Sequence, residues 1–180
     1  MSRTIGVDIT SLRKIFKERK DDAEQRLLSG LPPHLSDVYS KTLAADWVDI
    51  PLVSELYSHV VKILYPGQSG AYFLLGKDLA DKSYSGFLKI FLLFPTVKYL
   101  ISRAANIWRN YHEKGAAVIE NEEAKSCDYV VRDFTDLPKT FRDITKGHIF
   151  VLLEKTGAKN IKIDIDETNP SAWRWKVSWE

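Results

Sequence analysis

Two segments near the C-terminus alternate strictly between apolar and polar residues, and this alternation constrains the fold more than any other feature. The first runs from Ile161 to Asp166, and the second from Trp173 to Trp179. Successive side chains of a β-strand point to opposite faces, so each segment is predicted to be a strand with one buried and one solvated face. The residues Asn169 to Ser171 supply the turn between them.

The rest of the C-terminal third predicts three further elements. Residues 116–120 and 127–134 are predicted to be two strands around the polar turn 121–125. Pro138 opens a helix with an apolar side, and Gly157 ends it. The order β-β-α-β-β predicts an antiparallel sheet with the helix covering one face.

The N-terminal two-thirds is predicted to be helical because its apolar residues recur every three or four positions. Capping residues and prolines mark where the helices begin. The predicted helices run from Thr10 or Ser11 to about Leu28, from Ser36 to Leu43, from Asp49 to Tyr65, from Ser69 to Ala80, from Ser85 to Phe94, and from Thr96 to Gly115. The predicted fold class is therefore α+β, in one domain that spans residues 1–180.

Charge and cysteine content narrow the choice of partners and compartment. The 26 basic and 24 acidic residues leave a net charge of +2, which gives no basic face for nucleic acid. The single cysteine, Cys127, cannot form an intramolecular disulfide, so a reducing cytoplasm is expected. The most apolar stretch, Phe87 to Ile101, is interrupted by Lys89, Pro95 and Lys98, so no membrane span is expected.

The residues that could carry chemistry do not form a recognisable motif. The histidines His34, His59, His112 and His148 lack the spacing of a metal site, which needs three or four converging ligands. They are predicted to pack or to face solvent, and neither metal nor cofactor is expected.

Three other reactive side chains have simpler explanations. Cys127 is predicted to be a small buried thiol rather than a nucleophile. Asp164 and Asp166 could form an acid–base pair, but a solvated sheet face balanced by Lys162, Arg174 and Lys176 is the preferred interpretation. The chain is therefore expected not to be an enzyme.

Several short motifs, in this order of elements, resemble a known superfamily. They are Leu64–Gly67, Leu75–Leu79, Ile107–Tyr111 and Gly157–Asn160. They are similar to the superfamily of haem-nitric-oxide-binding domains, bacteriochlorophyll 4-vinyl-reductase-like domains and TRAPP vesicle-tethering subunits. Within it, the chain most resembles an uncharacterised bacterial family described mainly from myxobacteria. The resemblance covers the chain from about Leu31 onward, and it implies the fold shared by nitric-oxide signalling and Golgi transport proteins.

The residues that carry the superfamily's known chemistry are not matched in this chain. The haem domains resembled here place a histidine on the helix corresponding to residues 86–94, which contain none. Their Tyr-x-Ser-x-Arg motif has only the stretch Tyr129–Arg132 as a counterpart, without the serine or the spacing. Residues 166–171 lack the cysteines of the vinyl-reductase-like domains. The resemblance therefore implies the fold without that haem site or a cysteine-based metal site.

Aromatic residues on two consecutive helices form the candidate binding site. The resembled domains hold a ligand between helices and sheet, and small-molecule pockets are mostly apolar and aromatic. The predicted ligand-binding residues are Phe87, Phe91, Tyr99, Trp108, Tyr111 and His112. The alternative is that they fill the core, because aromatic side chains dominate core burial.

Two functions follow from these observations. The first is a non-enzymatic sensory or regulatory domain that holds a small apolar ligand. The second is a protein-interaction module without ligand, forming a homodimer or meeting a signalling partner. The C-terminal tryptophans Trp173, Trp175 and Trp179 would serve the second function if part of their strand face were exposed.

Overall fold

The computed structural model describes residues 2–83, 96–169 and 172–180. Within them lie the helices α1 (Val7–Glu18), α2 (Ala23–Gly30), α3 (Pro33–Lys41), α4 (Ile50–Leu64), α5 (Ala71–Ser83), α6 (Val97–Tyr111) and α7 (Lys139–Lys155). The strands are β1 (Arg3–Ile5), β2 (Trp47–Asp49), β3 (Ala116–Glu120), β4 (Ser126–Arg132), β5 (Lys162–Asp166) and β6 (Ala172–Ser178). The predicted α+β class is confirmed.

The C-terminal third forms a four-stranded antiparallel sheet in the order β3-β4-β6-β5. Its register places Ile163 opposite Val177, and Trp175 between Tyr129 and Ile165. These side chains share the inner face of the sheet, so the alternation predicted the correct phase for both C-terminal strands. The predicted turn Asn169–Ser171 lies only partly within the described residues.

The outer face of the sheet is polar and carries ion pairs between strands. Lys176 pairs with Asp166 at 2.9 Å, and Arg174 pairs with Glu120 at 2.7 Å and also with Asp128. Asp166 thus lies on a charge-balanced surface, as the solvated-face interpretation predicts. Because Arg174 contacts β3 and β4 rather than the β5 carboxylates, the ion pairs reach across all four strands.

The predicted helix from residue 10 to residue 28 is wrong, because the chain forms two helices there. α1 ends at Glu18 and α2 begins at Ala23. Between them Asp21 accepts hydrogen bonds from the Arg19 guanidinium at 2.7 Å and from the Ala23 backbone N–H at 3.1 Å. A side chain that bonds nearby donors in this way competes with the helical backbone.

The strands β1 and β2 were not predicted from the sequence. They pair antiparallel, with Thr4 opposite Val48. Each strand has three residues, which is too short for a visible alternation of apolar and polar side chains. Their pairing brings the N-terminus of the chain beside the start of α4, where the Ile50 N–H donates to the Ser2 carbonyl at 3.0 Å.

Some of the predicted helix starts agree with the structure, and others do not. Asp49, Thr96 and Pro138 directly precede α4, α6 and α7, as predicted, and the Tyr99 N–H donates to the Thr96 hydroxyl at 3.1 Å. α3 instead begins at Pro33 and ends before Leu43, and α5 begins at Ala71 rather than at Ser69. The predicted helix over residues 85–94 lies outside the described residues.

The core lies between the helices and the inner face of the sheet. Trp173 and Trp175 are fully buried there, so these two tryptophans are not an exposed association surface. The Trp175 indole N–H donates to the Arg142 carbonyl of α7 at 3.1 Å. Among the described residues, no helix is long and apolar enough to cross a membrane.

Candidate functional site

A cavity of about 120 Å³ lies between α6, α7 and the inner face of the sheet. Its walls are almost entirely aliphatic and aromatic. The lining residues include Leu100, Ala104, Ile107, Trp108, Tyr111 and His112 from α6 and its end, Phe141, Ile144, Thr145, His148, Ile149 and Leu152 from α7, and Ile119, Cys127, Tyr129 and Val177 from the sheet. Asp8 of α1 reaches the same cavity.

Helical spacing explains how α6 and α7 present these side chains. Residues three and four positions apart share one face of a helix. Leu100, Ala104 and Trp108 follow this spacing on α6, and Ile144 and His148 follow it on α7. The inner-face strand residues complete the wall because every second side chain of a strand faces the core.

One end of the cavity is polar and is built around the carboxylate of Asp8. Oδ2 of Asp8 accepts a hydrogen bond from the Tyr57 hydroxyl at 3.2 Å. Oδ1 of Asp8 lies 3.6 Å from Nε2 of His148 and 3.5 Å from the Ser83 hydroxyl. The side chains of Asp8 and His148 are only 14% and 17% exposed, so this is a largely buried acid–base pair.

The two members of the pair stabilise each other's charge. Burial alone would raise the pKa of Asp8, but the His148 imidazolium and the hydrogen bonds lower it overall. Burial alone would lower the pKa of His148, but the Asp8 carboxylate raises it overall. Each group thus favours the charged form of the other, which shifts this pair toward a carboxylate facing an imidazolium.

His112 is held differently from His148. Its ring packs on the Trp108 indole with 4.0 Å between ring centroids. Burial lowers the pKa of His112 to about 3, despite the nearby Asp8 carboxylate. The imidazole is therefore neutral at physiological pH, and its buried Nδ1 has no hydrogen-bond partner among the described residues.

The structure brings together half of the residues predicted for the site. Trp108, Tyr111 and His112 line the cavity. Tyr99 does not, because it lies on another side of α6, where the Arg103 guanidinium is 5.5 Å from its ring. Phe87 and Phe91 lie outside the described residues.

Two polar residues of the cavity were missed or assigned to packing. An aspartate in the first turn of a helix, as in Asp8 of α1, is explained by the helix dipole, so no sequence signal marked it. His148 was predicted to pack, and its spacing on the apolar side of α7 was the available signal. Asp8 and His148 become a pair only when the fold brings α1 against α7.

The other candidate residues have ordinary surroundings. His34 is largely exposed, 3.6 Å from Glu55. Burial raises the pKa of the Cys127 thiol to about 11, which leaves it protonated and unreactive at neutral pH. No group of three or more potential metal ligands converges within residues 2–83, 96–169 and 172–180.

Comparison with known proteins shows the fold. No protein-family model and no curated protein sequence matches the chain. The chain is similar to the structure of an H-NOX protein from S. oneidensis in the Fe(II)NO ligation state, with TM-score 0.71, 13% identity and coverage of 98% of this chain and 99% of that one.

Two further H-NOX structures agree with the first. Fe(II) unliganded H-NOX protein from K. algicida gives TM-score 0.70 at 8% identity, covering 98% of this chain and 96% of that one. An oxygen binding H-NOX domain related to soluble guanylate cyclases gives TM-score 0.63 at 12% identity, covering 97% and 92%. The chain therefore has an H-NOX-like fold.

The haem that this fold implies does not fit the residues described. A cavity of about 120 Å³ is smaller than the roughly 300–1,000 Å³ of pockets for drug-sized molecules. Its described lining contains no lysine or arginine to pair with propionates, and its one acidic side chain is Asp8. Residues 84–95 contain no histidine in their sequence. The cavity is thus suited to a molecule much smaller than a tetrapyrrole.

Proposed function

We propose that this chain is a non-enzymatic sensory or regulatory domain that binds a small apolar molecule in the cavity between α6, α7 and the sheet. The observation that carries the proposal is the cavity itself, whose described lining is mostly aromatic and aliphatic, with Asp8, His112, Cys127, Thr145 and His148 as its other members. The similar solved proteins include an oxygen binding domain and a nitric-oxide-ligated one. Their fold thus serves small-molecule binding elsewhere, which supports the proposal.

The size of the cavity limits the ligand. A cavity of about 150 Å³ lined by aliphatic and aromatic side chains stays dry and takes up benzene or xenon. The cavity here is about 120 Å³, so a single six-membered ring is the largest rigid group expected without rearrangement. Binding would transfer that ring from water to an apolar wall, at roughly 25 cal/mol per Å² of area buried.

A titration with benzene, followed by the methyl NMR signals of isoleucine and leucine, tests this proposal. The signals of Ile107 and Ile144, on opposite walls of the cavity, are expected to shift and to saturate. The variant Ala104→Leu adds three carbon atoms to a buried wall position and is expected to weaken benzene binding at least tenfold. Ala105→Leu is the matched control, because Ala105 is the next residue on the exposed side of α6.

The outcomes separate the proposal from its failure. Saturable shifts in the wild type and in Ala105→Leu, lost in Ala104→Leu, support a ligand cavity at this place. Unchanged methyl signals at saturating benzene would show that the space is closed to ligands. Equal binding by both variants would place the benzene elsewhere on the protein.

A dimeric interaction module is the second candidate, and one observation favours it. Leu43, in the connection between α3 and β2, and Trp47, the first residue of β2, are 66% and 42% exposed. Exposed large apolar side chains close in sequence are typical of association surfaces. Sedimentation equilibrium distinguishes the two functions: a dimer that Leu43→Ser together with Trp47→Ser converts to monomer supports the module, and a monomer at all concentrations opposes it.

A further inference from the structure

Two ring nitrogens at the polar end of the cavity are buried and have no hydrogen-bond partner within residues 2–83, 96–169 and 172–180. They are Nδ1 of His112 and Nε2 of His148. The separation of 3.6 Å between Nε2 and Asp8 Oδ1 exceeds hydrogen-bond length. Leaving a buried polar atom unsatisfied is costly, so each such atom in a native structure needs an explanation.

The remaining polar groups at this end are already partnered. The Trp108 indole N–H donates to the Lys114 carbonyl at 2.9 Å. The Asp8 carboxylate accepts from Tyr57, and the Ser83 hydroxyl is 3.0 Å from that of Ser11. Among the buried side-chain nitrogen and oxygen atoms of the described cavity lining, these two ring nitrogens are the ones without a partner.

The partner of each imidazole fixes what it can offer. Nδ1 of His148 lies 3.0 Å from the Ile144 carbonyl, and because a carbonyl only accepts, this nitrogen carries a proton. With Nδ1 protonated, Nε2 of His148 accepts a hydrogen bond when the ring is neutral and donates one when the ring is an imidazolium, the form that Asp8 favours. His112 is neutral, so one of its ring nitrogens accepts and the other donates.

Both imidazoles lie beside the same aromatic ring. The centroid of the Tyr111 ring is 6.5 Å from that of His112 and 6.4 Å from that of His148. Both imidazoles also line the same cavity as Asp8, so two ring nitrogens without a partner among the described residues face one apolar cavity. A hydroxyl group can satisfy both, because it accepts and donates at the same atom.

We propose that the cavity binds a small aromatic alcohol of the phenol class, with its ring between Ala104 and Ile144 and its hydroxyl at His112 and His148. This inference rests on the proposed function and specifies its ligand. A neutral ligand fits best, because the charges of Asp8 and His148 already balance each other. An added anion or cation would leave one buried charge without compensation.

Isothermal titration of the whole chain with phenol and with benzene tests the ligand class. Phenol is expected to bind about tenfold more tightly, because hydrogen bonds to a charged group add about that factor. His112→Phe keeps an aromatic ring on Trp108 but has no ring nitrogen, so it is expected to abolish the preference for phenol over benzene when both ligands are titrated into the same variant. His34→Phe, at a largely exposed histidine of α3, is the control and is expected to keep the preference.

A second measurement does not depend on the variants folding. In the wild type labelled with ¹⁵N at histidine, phenol is expected to shift the ring nitrogen signals of His112 and His148, and benzene is expected to shift them much less. Equal affinity for the two ligands would overturn the phenol-class inference. Histidine ring nitrogen signals that do not shift on adding phenol would do the same. Either result leaves the cavity proposal unaffected. Failure of both ligands to bind would refute the proposed function itself.

Discussion

Helix α7 packs in opposite ways on its two sides. Against α5 the two backbones touch: a Cβ on Gly147 would lie 2.5 Å from the Phe73 carbonyl oxygen, and one on Gly76 would lie 2.3 Å from the Ile144 carbonyl oxygen. Against α6 and the sheet, the same helix leaves a cavity of about 120 Å³. The same stretch of α7 thus has a backbone-to-backbone contact on one side and a cavity on the other.

Because α7 packs closely against α5, the cavity on its other side does not reflect loose packing of the whole interior. Protein interiors are packed at a density of about 0.74–0.76, with few voids larger than a water molecule. Side chains cannot move from the α5 contact to fill the gap, because glycines occupy that contact. The glycine crossing therefore holds α7 in place, and the cavity persists on its other side.

The largest expected effect comes from disrupting the close contact between α7 and α5. Gly147→Ala is expected to destabilise the protein by about 3 kcal/mol or more, because the added carbon meets backbone atoms that cannot rotate away. Urea unfolding measures the change. Gly30→Ala is the control, since a Cβ there meets nothing within 4 Å, and it is expected to change stability by less than about 1 kcal/mol.

The next largest effect on stability is expected at the polar end of the cavity, on the other side of α7. Asp8→Asn removes the counter-ion of His148, and leaving a buried charge unpaired costs about 3 kcal/mol. The pKa of His148 is expected to fall, which histidine NMR signals measure directly. Asp37→Asn, which removes an exposed pair with Lys41, is expected to cost less than about 1 kcal/mol. An unchanged His148 pKa in Asp8→Asn would contradict the pairing.

The two imidazoles predict opposite dependences of stability on pH. The folded pKa of His112 is about 3 against 6.5 in a model peptide, so its contribution is lost as pH falls below about 6.5. The folded pKa of His148 is raised by Asp8, so its contribution is present below about 6.5 and lost as pH rises through the folded value. Asp8 of α1 faces His148, and Tyr57 of α4 and Ser83 of α5 donate hydrogen bonds to the Asp8 carboxylate.

His112→Phe isolates one of these two contributions. Between about pH 6 and pH 4 the wild type is expected to lose up to about 1.4 kcal/mol per pH unit through His112. His112→Phe lacks this titration, so its free energy of unfolding is expected to fall less between about pH 6 and pH 4. Urea unfolding at each pH measures the difference. Parallel curves for the two proteins would show that His112 is not buried in its neutral form.

The smallest effect is expected from an ion pair between α7 and α5. Lys155 of α7 pairs with Asp81 of α5 at 2.7 Å, with side chains 35% and 57% exposed. Lys155→Met is expected to cost less than about 1 kcal/mol, because exposed ion pairs are weak and screened. Unfolding at low and high salt measures this. A loss comparable to that of Gly147→Ala would mean that charge, rather than backbone packing, holds the two helices together.

The same contrast explains what could be predicted from the sequence. The inner face of β5 and β6 was predicted because alternation over five to seven residues follows directly from burial of one sheet face. The positions of Trp108 and His148 on apolar helix faces followed from spacing. The volume between those faces did not, because spacing gives the direction of a side chain and not its distance from the opposite wall.

Other features depend on contacts that are distant in the chain. Asp8 has its partner on α7, and no local pattern joins the two. The need for glycine at Gly76 and Gly147 arises only from the contact between α5 and α7, and neither helix shows it by itself. The three-residue strands β1 and β2 are likewise defined by their pairing and not by their composition.

Crystals exposed to xenon under pressure test whether the cavity between α6 and α7 is open to apolar ligands, since xenon enters apolar cavities of about this size without needing a polar partner. One strong xenon site is expected between Ala104 and Ile144, absent from crystals of Ala104→Leu and present in those of Ala105→Leu. Side chains filling that space, with no xenon between α6 and α7, would contradict it.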